Sequence, residues 1–136
     1  MIKWAGWIIA LFGAAHTILA LTLEHAGRYA GDWFSGELWG EDLSAMSPAN
    51  SAYWLSLNSF GPSMVLIGLL VLWMDRRGIT PPAFLGWTLL VWTVIGFIIE
   101  GPTPSPIFAV ATILLLVAAR RAARRGDAVP RAAQSA

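Results

Sequence analysis

The sequence predicts an all-α membrane protein: a bundle of four transmembrane helices with a longer outer loop between the first two. Three observations predict this. Of the 136 residues, 57% are hydrophobic and only 12% charged, with mean hydropathy +0.62. Soluble domains carry about a quarter of their residues as charges, so this chain has too few to cover a water-facing surface, and its natural solvent is lipid. Four apolar runs are each bounded by charges or prolines. The charges also sort by side, as shown below. A single membrane domain over residues 1–125 follows, with a disordered tail over 126–136 that lacks an apolar face.

The first run is Trp4 to Leu23, interrupted only by His16, Thr17 and Thr22. A helix needs about 20 residues to cross the hydrocarbon core, which this run supplies. The alternative is a cleaved signal peptide, with Lys3 as its positive end and Gly13-Ala14-Ala15 as a cleavage site. The run stays apolar well past Ala15, which a cleavable signal does not need. The loop after it, "RYAGDWFSGELWGEDLSAMSPANS", mixes Trp33, Phe34, Leu38 and Trp39 with acids and glycines. It reads either as a short interfacial helix around residues 34–43 or as a partly ordered loop.

The second run is Tyr53 to Met74, with Pro62 expected to kink its outer half. The third is Ala83 to Glu100, launched by Pro81 and Pro82. A tight outer turn, "GPTPSP", leads to the fourth, over residues 106–121, with Ser105 as N-cap and Pro106 as first helical residue. Its arginines can snorkel into the headgroups.

Four spans leave eight of the nine basic residues on one side, with Arg28 alone among the acids of the outer loop. The positive-inside rule makes that side cytoplasmic and places both termini there, in the inner (plasma) membrane. Trp4, Trp7, Trp73 and Trp87 fall near the inner interface and Trp54 near the outer one, where an amphipathic ring is favoured.

The chain has no cysteine, so disulfides, thiolate metal sites and cysteine nucleophiles are excluded. A net charge of +1 with no basic, aromatic-interleaved stripe excludes a nucleic-acid partner. No G-x-S-x-G, phosphate loop or dinucleotide fingerprint occurs, and no cofactor is expected. His16, Glu24, His25 and Glu100 lack metal-ligand spacing, and no metal is expected either.

Each span carries a stripe of small or polar residues suited to helix contact in lipid. The first has Gly6, Ala10, Gly13, Ala14 and Thr17, with His16 at the edge. Ser56, Ser59 and Ser63, at i, i+3 and i+7, share a face of the second. Gly86, Thr93, Gly96 and Glu100 align on the third, and Ser105, Ala109, Thr112 and Ala119 on the fourth. The polar groups gather toward the outer side, which points to an outer-facing pocket rather than a channel.

Intramembrane ionisable groups are costly and default to functional hypotheses. One reading is a ligand-binding pocket lined by His16, Ser56, Ser59, Thr93 and Glu100 that binds or transports a small hydrophobic molecule, transport requiring a homodimer. A second is a membrane-embedded isomerase or cyclase acting on a lipid-like substrate, with His16, Glu24 and Glu100 as catalytic acid and base. A third is an accessory subunit whose polar residues only pack helices. In that case His16 is a neutral imidazole hydrogen-bonded to a serine or a backbone carbonyl of the second span. Glu24 and His25, adjacent at a helix end, then simply meet water.

The stretches "LFGAAHTILAL", "YWLSLNSFGPSMVLIGLLVLWMDRRG" and "PPAFLGWTLLVWTVIGFIIEGPTPSPIF" make residues 3 to 120 resemble a family of small four-helix bacterial membrane proteins of unknown function. The most specific elements are the G-x-x-H of the first span, "SLNSFG" and "GPTPSP". The resemblance implies a four-helix bundle and carries no activity. In size and span number the chain is also similar to small multidrug transporters, but it has His16 in the first span where they have a glutamate.

Overall fold

The computed structural model describes residues 1–101 and 105–134; for Glu100, Ser105 and residues 127–134 only the backbone is described. The described residues form six α-helices and two 3-10 turns, with no strand among them: α1 (Ile2–Thr22), a 3-10 turn (Ala26–Tyr29), α2 (Ala30–Ser35), a second 3-10 turn (Leu43–Ala45), α3 (Pro48–Leu55), α4 (Phe60–Arg76), α5 (Ala83–Glu100) and α6 (Ser105–Gln134). The all-α expectation holds. Among the described residues, three stretches are long and apolar enough to cross a membrane: Ile2–Thr22, Pro48–Arg76 and Pro106–Gly126. The apolar part of α5, Ala83–Ile99, is shorter.

The chain divides into two compact units, residues 10–66 and residues 1–9 with 67–136. In the first, α1 lies so close to the start of α4 that side chains do not fit between them. A Cβ on Gly13 would meet the Gly61 carbonyl oxygen and come within 2.6 Å of the Met64 Cβ, and a Cβ on Gly61 would run into the Thr17 hydroxyl. Gly13 is thus in the stripe the sequence marked, and its partner is the glycine of "SFGPS".

The second span differs from the continuous, Pro62-kinked helix expected. It is two helices, α3 and α4, separated by a turn over residues 56–59. Pro62 has no N–H to give the Asn58 carbonyl, and its ring would clash with that carbonyl in a helix. The chain resolves the conflict by ending one helix and starting another. Ser59 is the cap of the new helix, its Oγ accepting from the Gly61 amide at 3.1 Å, and Pro62 sits in the first turn, where no donor is needed. Ser56, Ser59 and Ser63 therefore do not share one helical face, and Ser63 is exposed.

The outer loop carries a helix earlier than expected, at Ala30–Ser35 rather than around 34–43. Gly36 ends it with a left-handed backbone, φ 87°, which a glycine adopts without Cβ strain. Trp33 ties the loop down: its indole N–H donates to the Ala49 carbonyl at 2.9 Å and its ring meets Tyr53 edge-on.

In the other unit α5 packs on α6. Gly86 lies beneath Leu116, so that a Cβ there would approach its side chain to 2.9 Å. Phe108, Ala111, Thr112, Leu115 and Ala118 form the buried face of α6, at the spacing of one helical stripe. Gly6 of α1 and Leu72 of α4 meet in the same way, a Cβ on Gly6 falling 2.8 Å from Leu72 Cγ. Gly96, although in the predicted stripe of the third span, faces open space. Helical backbone continues to Gln134, beyond the Gly126 at which the unfolded tail was expected to begin. The expected turn "GPTPSP" falls largely on residues 102–104, outside the described residues.

Candidate functional site

The polar residues singled out in the first two spans, His16, Ser56 and Ser59, converge on the break between α3 and α4. Ending a helix leaves carbonyls without an amide partner. In an uninterrupted helix the Leu55 carbonyl would take the amide of Ser59, but that amide turns to the Ser56 carbonyl instead, at 3.4 Å. His16, projecting from α1, supplies the missing donor: its Nε2 lies 3.3 Å from the Leu55 oxygen. A carbonyl only accepts, so in this contact Nε2 is the donor. The imidazole also lies against the Phe60 ring, centroids 4.1 Å apart, while Phe12, one turn earlier on α1, stacks on the same ring at 6.1 Å.

The serines are engaged in the same repair. Ser56 is fully buried, and its Oγ donates to the Ala52 carbonyl at 2.6 Å. Ser59 Oγ donates to the Ser56 carbonyl at 2.7 Å while it caps α4. Neither hydroxyl is a nucleophile poised on a base. Thr93, in the other unit, donates to the Leu89 carbonyl of its own helix at 2.6 Å. Glu100 ends α5, and its side chain lies outside the described residues.

Glu24 and His25 lie beyond the end of α1 at Thr22, and both are exposed. His25 takes a left-handed backbone, φ 57°, that turns the chain into the first 3-10 turn. Neither side chain lies on the α1 stripe. The described residues contain no group of three His, Asp or Glu side chains able to hold a metal.

Sequence reasoning missed two features. One is an acidic cleft of about 310 Å³ in the outer loop, lined by Tyr29, Asp32, Glu37, Leu38, Glu41 and Ser47 among others. Glu41 Oε1 accepts from the Ser47 amide at 3.1 Å, and Ser47 Oγ accepts from the Asn50 amide at 3.1 Å, capping α3. The loop is thus fastened to the helix it precedes. The signal was present in "SPAN", a serine cap followed by proline; the glutamate six residues upstream gave none. The second feature is an apolar groove of about 240 Å³ between α5 and α6, lined by Leu90, Thr93, Val94, Phe97, Pro106 and Ala109. Because Thr93 has turned its hydroxyl to its own backbone, the groove presents it chiefly as a methyl group.

The Glu41 fastening carries a pH dependence. The Ser47 hydroxyl, with Asn50 and the Ser47 amide, holds the Glu41 carboxyl below its ordinary 4.5 against partial desolvation. The Ser44 amide and hydroxyl lower Asp42 in the same way. A depressed folded-state pKa adds stability above the unfolded value and loses it as pH falls through the folded one. The outer loop should therefore loosen on acidification below 4.5, seen as faster amide exchange over residues 41–50. Glu41→Gln should reduce that dependence and leave the Asp42 part. An unchanged acid profile in this variant would show that Glu41 does not fasten the loop.

A chain whose described residues are helical, with three stretches among them long and apolar enough to cross a membrane, has the makeup of a small helical membrane protein. Within that class the chain belongs to the Family of unknown function (DUF6463), which it matches over residues 1–129. No curated protein and no solved structure matches it.

Proposed function

We propose that the chain is a four-span membrane protein that binds a small hydrophobic molecule from the bilayer in the groove between α5 and α6. The fourth span is α5. Its mostly apolar stretch of 17 residues, Ala83–Ile99, extends about 26 Å at 1.5 Å per residue, and slight thinning or snorkelling at the ends closes the gap to a core of about 30 Å. Four spans put Lys3, the Arg76–Arg77 pair and the α6 arginines on the cytoplasmic side with both termini, and the acidic loop outside.

The observation that carries the binding reading is the groove itself. Its lining is almost wholly apolar, with Thr93 the one polar residue and its hydroxyl already satisfied. A ligand there would gain burial without needing polar partners, which suits an acyl or prenyl chain. Transport of such a molecule would need two copies of the chain, because four short helices do not enclose a pathway.

A photoactivatable fatty alcohol added to the reconstituted chain should label peptides within residues 90–109. Thr93→Trp, which fills the groove, should lower that labelling by roughly tenfold, the worth of one or two buried methylenes. Equal labelling of wild type and variant, or labelling spread evenly over all lipid-facing helices, would refute the proposal.

A second reading, an accessory subunit, is favoured by a separate observation: the imidazole of His16 and the hydroxyls of Ser56, Ser59 and Thr93 are all bonded to backbone carbonyls. An acid–base enzyme would require His16 to give up its Leu55 bond or to work through Nδ1 alone.

A further inference from the structure

We infer that the end of the chain where α1 begins and α4 stops, joined by the arginine face of α6, is a binding surface for the phosphate headgroup of an anionic phospholipid. The argument lies wholly within the unit of residues 1–9 and 67–136 and is independent of the hydrophobic-ligand reading.

Three helix segments bring their cations to one level. Gly6 of α1 packs on Leu72 of α4. Lys3 lies three residues from that contact toward the N-terminus, and Arg76 four residues from it toward the end of α4. Both therefore stand about 4.5–6 Å beyond it along their helices. The third segment is fixed by a direct contact, Arg121 Nη1 lying 3.2 Å from the Met1 Sδ. Arg77 follows Arg76 and lays its guanidinium over the Trp73 ring, 5.4 Å from the centroid.

On α6, Arg120, Arg121, Arg124 and Arg125 fall within about 140° of one another at 100° per residue, so they form one basic face. All are exposed, as are Lys3, Arg76 and Arg77. Asp75 is the only carboxylate among the described side chains of this unit. Among the described side chains, seven cations of this surface stand against the single carboxylate of Asp75.

The ligand chemistry follows. Guanidinium forks match the oxygens of a phosphate. Arg77, held over an indole, sits where an interfacial tryptophan belongs, at headgroup depth. A surface at that depth meets lipid phosphates first, and basic clusters next to membrane helices recruit anionic headgroups. The apolar groove lies near Ala109, about 18 Å along α6 from Arg121, so the headgroup surface and the groove do not overlap.

The test is competition between phosphatidylglycerol and phosphatidylcholine of matched acyl chains for the full chain, read by native mass spectrometry. Wild type should retain the anionic lipid over the zwitterionic one by on the order of tenfold, and added salt should reduce the preference. Arg121→Gln with Arg124→Gln and Arg125→Gln should abolish it. Arg76→Gln with Arg77→Gln, on a different helix, should weaken it independently, which keeps the proposal testable if the α6 variant does not fold. Equal retention of the two lipids by wild type would overturn it, as would a preference that survives both sets of substitutions. Displacement of the lipid by millimolar inorganic phosphate alone would make this a free-anion site and would also overturn it.

Discussion

Gly13→Ile should destabilise the fold by roughly 3 kcal/mol, at the upper end of what overpacking produces, and should be the most damaging single substitution in the membrane region. The new Cβ would fall against the Gly61 carbonyl, 2.6 Å from the Met64 Cβ and 2.9 Å from the Val65 amide nitrogen. Two of those three neighbours are backbone, which cannot change rotamer to make room. The only relief is separation of α1 from α4, and in lipid that contact is held by close packing rather than by a hydrophobic force. Gly96→Ile is the control, because a Cβ at Gly96 meets nothing within 4 Å. Loss of helical signal on titration of a denaturing detergent measures both. Similar midpoints for the two variants would show that the Gly13–Gly61 approach is not what holds these helices together.

His16→Leu should cost about 1 kcal/mol, the net worth of one hydrogen bond to a backbone carbonyl. The substitution keeps an apolar body beside Phe60 but removes the only side-chain donor described at the Leu55 carbonyl. His16→Gln should recover part of the loss by presenting an amide N–H of similar reach. This ordering, His above Gln above Leu, separates a helix-break donor from an acid–base group, for which Gln and Leu would be equally poor. The same detergent titration, together with amide exchange at Ser59 and Phe60, reads the result. If His16→Leu and His16→Gln both match wild type in the two measurements, the imidazole does not support the break.

Much of the architecture was legible in the chain. The starts and ends of α1 and α5 came within about two residues of the apolar runs, the usual scatter of helix boundaries, and Pro81–Pro82 marked the start of α5 correctly. Gly6 and Gly13 were recognisable as contact positions because small residues at helical spacing are a local pattern. The same pattern overreached at Gly96, which faces open space. The break in the second span was written in "LNSFGP", a serine cap two residues before a glycine and three before a proline. It was read as a kink because hydropathy runs through it without interruption, and hydropathy does not register a lost backbone bond.

The candidate site was less legible. That His16 was unusual could be read from one residue in an apolar run. That it serves the Leu55 carbonyl could not, because the two are 39 residues apart and a backbone carbonyl carries no sequence label. The groove beside Thr93 was equally hidden: it depends on how α5 and α6 pack around Phe97 and Ala109, and on a hydroxyl turning back to Leu89.

The sequence by itself determined that this protein is helical, that it carries stretches able to cross a bilayer, and where its charges lie along the chain. Those properties are sums over neighbouring residues, and solvent and hydrogen-bonding needs act on them locally. Only the tertiary structure decided which backbone groups were left without partners and which distant side chain reached each of them. That choice depends on the contact between helices, and at Gly13 and Gly61 the contact is set by atoms those residues lack.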